Sequence, residues 1–284
     1  MPLQMYQEQK SPPKPKIKNI IGIAAGKGGV GKSTITVNLA LTLKQLGYSV
    51  GVLDTDIYGP SIRKMLPEDR MPTQKGELIA PALCQGIKMI SMAYFRKENE
   101  AAVVRAPIAN GLIKQFLNNV EWGNLDFLLI DFPPGTGDIQ LTISQQAHLT
   151  CALMVTTPQD VAVMDVRKAM NMFNQVKIPV IGVVENMSYF LQQSNQEKVY
   201  IFGKGGGERL ARESEIPFLG AIPLDPKICA SGDQGKSMYS DENHPAVAPF
   251  KELAKNFIGH LDLLSSQHDH LQAFELVWKE VSAS

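Results

Sequence analysis

Gly26-Lys27-Gly28-Gly29-Val30-Gly31-Lys32-Ser33-Thr34 is the stretch on which the reading of this chain turns. It fits the pattern G-x-x-x-x-G-K-[ST] of a phosphate-binding loop. Glycines let the backbone curl until successive N–H groups converge on phosphate oxygens, where a Cβ would obstruct. In such a loop the lysine, here Lys32, reaches the β- and γ-phosphates, and the Ser33 hydroxyl can ligate Mg²⁺. A helix beginning near Gly31 adds its positive N-terminal pole to the same anion site.

The flanks supply the setting this pattern needs. Ile20-Ile21-Gly22-Ile23-Ala24-Ala25 is a short apolar run that reads as a buried strand. Ile35, Leu39, Leu43 and Leu46 then recur at helical spacing, and Gly47 supplies a helix stop. A plain glycine-rich turn between strand and helix is the alternative.

Length and composition bound the rest. With 284 residues, 44% hydrophobic and 20% charged, the chain can bury a sizeable core as one large α/β domain or two small ones. The formal net charge is zero, so no general pull toward nucleic acid or an anionic membrane is expected. Cys84, Cys151 and Cys229 are widely separated and form no CxxC, which argues for a reducing, cytoplasmic setting; Cys151 reads as opening a core strand, and Cys84 and Cys229 as lying singly in loops. No apolar run approaches the ~18–20 residues that span a bilayer, and the N-terminus does not read as a signal peptide.

Taken in order, Met1 to Lys18 is polar and proline-bearing and reads as a flexible tail. Tyr48 to Leu53 is an apolar run delivering Asp54-Thr55-Asp56 at its end. Carboxylates at the C-terminal ends of strands are where α/β sheets place their chemistry. Asp56 can orient an attacking water and Asp54 can support a Mg²⁺ shell, with a capping or turn pair as the alternative. Met65 to Gly86 reads as a loop-rich excursion, and Ile87 to Met92 as a strand. After Pro107, Ile108, Leu112, Ile113, Phe116 and Leu117 form a helical stripe. Arg105 just before it is either a phosphate sensor or an ordinary surface arginine.

Asp126-Phe127-Leu128-Leu129-Ile130-Asp131 is the clearest strand, and its terminal aspartate matches a Walker B carboxylate that holds Mg²⁺ directly or through water. Phe132-Pro133-Pro134-Gly135-Thr136-Gly137-Asp138 follows as a candidate switch loop sensing the γ-phosphate. Ala152 to Val155 reads as a strand, and Val161, Met164, Val166, Met170 and Phe173 as a helical face packed in the core. Val180 to Val184 delivers Glu185-Asn186-Met187-Ser188, and Phe218 to Ile222 is a further strand. This alternation predicts an α/β fold: a doubly wound, mostly parallel sheet with helices on both faces.

Several stretches together resemble one family. Lys27, directly after the first glycine, resembles the "deviant" phosphate loop of the Mrp/ApbC-type, MinD-type, ParA-type and arsenite-pump ATPases. D-T-D-I-Y-G-P-S, I-D-F-P-P-G-T-G-D, E-N-M-S-Y-F, I-F-G-K-G-G-G and I-P-L-D-P follow in order. They resemble the Mrp/ApbC-type ATPases, the iron–sulfur cluster carrier proteins, over about Lys18 to Phe257. The resemblance implies a homodimeric P-loop ATPase that binds and hydrolyses ATP with Mg²⁺ and delivers clusters to apoprotein clients or assembly factors, without nucleic acid or membrane. Gly26 to Thr34 would wrap the triphosphate, with Lys32 on the phosphates and Ser33 on Mg²⁺. Lys27 would act across the dimer, Asp56 would activate water, Asp131 would support the metal and Asn186 would read adenine.

One departure bears on the cargo. Where the family carries the two cysteines of a C-P-x-C shortly after its N-M-S-aromatic stretch, this chain has Gln192 and Asn195. Neutral amides do not replace thiolates on iron. An ATP-switched dimeric positioning or partner-binding ATPase is therefore the second reading. The expected division is a tail 1–18, an ATPase domain 19–262 and a C-terminal helical extension 263–284. In the extension Leu271, Phe274, Trp278 and Val281 share one face, suited to docking on the domain or a partner. His268 and His270 form an H-x-H pair, too few ligands for a metal.

Overall fold

The computed structural model describes residues 16–56, 59–95, 106–135, 137–192, 194–241 and 243–282, and for 95, 106–109 and 267–282 the backbone alone. The expected tail up to residue 15, Arg105, Thr136, and the side chains of His268, His270 and the Leu271–Val281 stripe lie outside the described residues.

In chain order the first half comprises β1 (Ile17–Ala24), α1 (Lys32–Gln45), β2 (Val50–Asp54), α2 (Ile62–Met65), β3 (Thr73–Lys75), β4 (Leu78–Ala80), β5 (Ala82–Cys84), β6 (Ile87–Ser91) and α3 (Ala106–Asn118). Then come β7 (Leu125–Asp131), α4 (Asp138–Gln146), β8 (Cys151–Thr156), α5 (Asp160–Gln175), β9 (Val180–Glu185), β10 (Phe190–Leu191) and β11 (Lys198–Val199). The chain continues through α6 (Gly206–Glu213), β12 (Phe218–Ala221), α7 (Pro226–Gln234) and α8 (Val247–Ser282). Among the described residues no helix is long and apolar enough to cross a membrane.

An eight-stranded sheet in the order β12-β9-β8-β1-β7-β2-β6-β5 forms the centre. Its strand pairs are parallel except the edge pair β5–β6. This is the doubly wound architecture expected of the βα alternation. β7 explains why the sheet's strands read as unbroken apolar runs. Phe127 and Leu129 enter one core with α1 and α8, while Leu128 and Ile130 enter the other with α3, α4, α5 and α6. Both faces are covered, so neither register position is polar.

From β1 the chain first moves outward through β2 to β6. β7 then inserts between β1 and β2, and β8, β9 and β12 build the opposite wing. The order reverses beside β1, and a crevice opens there at the strands' C-terminal ends. α8 seals one face: Phe250, Leu253, Ala254, Phe257 and Leu261 are buried at helical spacing. Each large side chain so buried contributes about 1.5–3 kcal/mol. α8 runs unbroken through residues 262 and 263, where the extension was expected to begin.

Three local expectations are corrected. The excursion from Met65 to Gly86 contains β3, β4 and β5, strands too short to show a period. On α5, Val166, Met170 and Phe173 are buried, but Val161 and Met164 are each 60% exposed. They lie on the outer face of α5, while Ala162 and Val163 of the same first turn are buried. Cys84 is not in a loop but buried on β5, and Cys229 is exposed on α7.

Candidate nucleotide site

β1 ends at Ala24, and the chain turns through residues 26–31 into α1. Two glycines of this turn have steric reasons. A Cβ on Gly26 would stand 2.0 Å from the carbonyl carbon of Asp165, so the loop begins in backbone contact with α5. Gly31, the N-cap of α1, has φ of 84°, in the left-handed region that favours glycine. A Cβ there would lie 2.0 Å from Asn186 Nδ2.

Asn186 fills that space with a purpose visible in its bonding. Its Nδ2 donates to the Val30 carbonyl at 2.9 Å, tying the end of β9 to the loop. The side chain is buried and lines a cavity of about 220 Å³ together with Thr34, Met65, Leu224 and Ile228. So the residue expected to read adenine sits beside the loop, with one amide N–H committed to holding it.

Loop, helix and sheet edge meet at Asp131, the end of β7. Oδ2 accepts from Lys32 Nζ at 2.6 Å and from Ser33 Oγ at 2.7 Å, and Oδ1 accepts from Thr36 Oγ1 at 2.6 Å. The Asp131 carbonyl accepts from Thr55 Oγ1 at 2.6 Å. Lys32 is only 7% exposed and Asp131 fully buried, so each charge depends on the other. Asp54, the register partner of Asp131 on β2, accepts from Ser91 Oγ at 2.8 Å and from the Asp56 N–H at 3.1 Å. Burial, then the neighbouring Asp131 charge, raises its carboxyl to about 7, against opposing hydrogen bonds from Ser91 and Asp56 and the Lys32 charge.

Asp56 stands at the rim. Its Oδ1 accepts from the Gly59 N–H at 3.1 Å. It borders a cavity of about 370 Å³ with residues 27–34, Ser61, Lys64, Pro134 and Asp233. Lys27 is half-buried on the same wall. The structure therefore gathers Lys27, Lys32, Ser33, Thr34 and Asp56 around one cavity, with Asp131 and Asp54 behind it. A separate cavity of about 390 Å³ beside Arg167, Asn171 and Asn174 carries no such convergence.

Sequence reasoning missed the residues that hold this set in place. Thr36, one helical turn after Lys32, and Thr55, between the two aspartates, both bind Asp131; Ser91 ends β6 in register with Asp54. Glu185, buried next to Asn186, accepts from Ser188 Oγ and the Gly207 N–H, each at 2.6 Å, and so caps α6. A polar residue closing an apolar strand was the signal in the last two cases.

Gln192 and Asn195 lie apart from this cluster, in the exposed hairpin that joins β10 and β11. The Gln192 N–H donates to the Glu197 carbonyl, and Asn195 Oδ1 accepts from the Glu197 N–H at 3.1 Å. The hairpin offers amides, which do not suit iron. Among the described residues, no three His, Cys, Asp or Glu side chains group as a metal site.

Comparison with known proteins agrees with this geometry. Residues 16–258 match the ParA family model described as NUBPL iron-transfer P-loop NTPase. The chain is 43% identical over 254 residues to the iron-sulfur cluster carrier protein of Aquifex aeolicus, covering 88% of this chain and 68% of that one. It is 48% identical over 229 residues to the carrier protein of Methanococcus maripaludis, covering 79% of each. Among solved structures, a nucleotide-binding protein from Archaeoglobus fulgidus in complex with ADP superposes with a TM-score of 0.70 at 39% identity, over 81% of this chain and 93% of that one. The cell division ATPase MinD of Pyrococcus furiosus shares the fold alone, with a TM-score of 0.62 at 22% identity, over 86% of this chain and 99% of that one. The chain thus belongs to the ParA family of P-loop NTPases, in its NUBPL-type iron-transfer group.

Proposed function

We propose that this protein binds and hydrolyses ATP as a homodimer and serves iron–sulfur cluster delivery to apoprotein clients or assembly factors in the cytoplasm. The observation that carries the ATPase reading is the convergence of Lys32 and Ser33 on Asp131 at the root of a glycine loop. The carrier reading rests on the family and its similarly built relatives, and the cytoplasmic setting on the cysteine usage. In this reading the ATPase domain begins with β1 at Ile17, two residues before the expected start at 19, and α8 carries on without a break into the 263–284 extension.

Gly26 to Thr34 wrap the triphosphate, with Lys32 neutralising its β- and γ-oxygens as the ammonium exchanges Asp131 for phosphate. Asn186 borders the base. The hard oxygens of Ser33, Asp54 and Asp131 fit Mg²⁺, which Ser33 would hold directly and the carboxylates directly or through water. Bound Mg²⁺ neutralises phosphate charge. Asp56 takes the proton of the water whose oxygen attacks the γ-phosphorus, as the bond to the β–γ bridging oxygen breaks. Lys27 reaches the nucleotide of the second subunit.

Replacing Lys32 tests the reading. Wild type is expected to hydrolyse ATP slowly with Mg²⁺, and Lys32→Ala to lose triphosphate binding and turnover. A Lys32→Ala variant with wild-type turnover overturns the assignment.

The second reading is an ATP-switched dimer that recruits partners and carries no cluster. Gln192 and Asn195 favour it, since the hairpin lacks thiolates. Anaerobic reconstitution with iron and sulfide, followed by metal counting per dimer, separates the two.

A further inference from the structure

Asp233 stands at the junction of the two cavities that adjoin the phosphate loop. One, about 370 Å³, is walled by residues 27–34; the other, about 220 Å³, lies beside Asn186, Leu224 and Ile228. Thr34, Met65 and Asp233 border both, and Asp233 is the charged one of the three.

The fold fixes α7, which carries this exposed carboxylate, from several sides. Asp225 caps the first turn of α7 by accepting from the Lys227 N–H at 2.7 Å, and Ser231 Oγ meets His244 Nε2 at 2.9 Å. At the helix end, Gly232 lies against Met65 and Gly235 against Pro67, which presses the last turn onto the segment following α2. Helix stability does not explain an aspartate here. The last turn of a helix is its negative pole, where an anion is unfavourable. The Cys229 thiol, 3.7 Å from Oδ2, is a weak donor. Nor does a carboxylate assist phosphate binding, which it opposes by charge. Its use lies with another part of the ligand.

A nucleotide with its phosphates on the loop and its base beside Asn186 places its ribose at this junction. An ionised carboxylate only accepts hydrogen bonds, and the vicinal 2′- and 3′-hydroxyls are two donors. We propose that Asp233 accepts from the ribose hydroxyls and makes the site select ribonucleotides over deoxyribonucleotides. This assignment rests on the nucleotide-binding reading above.

Titration calorimetry of the full chain with Mg²⁺ and ATP, 2′-deoxy-ATP or 3′-deoxy-ATP tests it. Wild type is expected to bind ATP roughly 5- to 20-fold tighter than either analogue, the scale of one charge-assisted hydrogen bond at a partly exposed site. Asp233→Ala should bring the three affinities within about twofold of one another, and Asp233→Asn, which keeps a carbonyl acceptor, should fall between. A uniform change for all three nucleotides in Asp233→Ala overturns the assignment, because charge or packing alone would treat them alike. Wild type binding ATP and both analogues equally overturns it while leaving the phosphate-loop reading intact. Wild type binding none of them overturns both.

Discussion

Asp54 and Asp131 stand side by side as register partners on the parallel strands β2 and β7, and both are fully buried. The lysine goes to one of them. Lys32 Nζ lies 2.6 Å from Asp131 Oδ2, while Asp54 accepts from a hydroxyl and a backbone N–H. The pair thus divides into one carboxylate supplied with a cation and one whose ionisation is opposed by burial and by its neighbour.

That division predicts how stability responds to pH. The Asp54 carboxyl titrates at about 7 in the folded protein, above its ordinary 3.8. The folded state therefore keeps a proton that the unfolded chain has released, and this group's contribution to stability falls as pH rises between about 4 and 7. Asp54→Asn removes the titration. In nucleotide-free protein the variant should be more stable than wild type at pH 8, by roughly 1–3 kcal/mol, and gain little at pH 4.5. Thermal melts across that range check it. A difference independent of pH would mean that Asp54 does not titrate there.

Gly26 should tolerate no side chain. Its Cβ would stand 2.0 Å from the Asp165 carbonyl carbon and 2.3 Å from the Val166 nitrogen, both backbone atoms of α5. Gly26→Ala is expected to cost on the order of 2–4 kcal/mol and to displace the loop. Gly28→Ala meets Pro134 Cβ at an ordinary 3.9 Å and should leave stability near wild type. Urea unfolding of the two variants, which differ by two positions in one loop, measures the contrast.

Lys27 lines the phosphate cavity without taking part in the Asp131 cluster. In the proposed dimer this lysine serves the nucleotide of the second subunit. Sedimentation with a non-hydrolysable ATP analogue should show a stronger dimer for wild type, and Lys27→Ala should weaken it about tenfold or more, the loss of one charge-assisted contact. A Lys27→Ala variant that dimerises and hydrolyses normally would remove the role across the interface.

The hairpin between β10 and β11 yields the prediction about cargo. If Gln192 and Asn195 of the exposed turn occupy the ligand positions, as the second reading has it, wild type should retain little or no bridging cluster after anaerobic reconstitution. Replacing both by cysteine supplies four thiolates per dimer, and iron content should rise. A stable cluster on wild type would overturn this, and single Cys84→Ser and Cys229→Ser variants would then locate its ligands. Cys84 is the poorer candidate, being buried on β5 with its thiol pushed up to about 12 by burial and then by Glu68 and Asp69.

Local chemistry is what the sequence alone determined. A glycine loop between an apolar run and a helical stripe has few geometries, so residues 26–34 announced a phosphate site by composition and order. Asp131 was legible because β7 is buried on both faces, and an acid ending such a run stands out. The alternation of strands and helices implied the parallel sheet. Tertiary structure alone decided which distant groups share the site. Inserting β7 between β1 and β2 pairs Asp54 with Asp131, and the pairing of β2 with β6 brings in Ser91. Asn186 reaches Val30, and α7 carries Asp233 to the rim of the same loop, from the far half of the chain. No local period records such contacts, because they follow from strand order and helix packing and not from the spacing of neighbouring residues. Val161 and Met164 show the converse: their spacing was compatible with a core face, but α5 buries the stripe through Ala162, Val163, Val166, Ala169 and Phe173, and which face is covered follows from how the helix docks on the sheet.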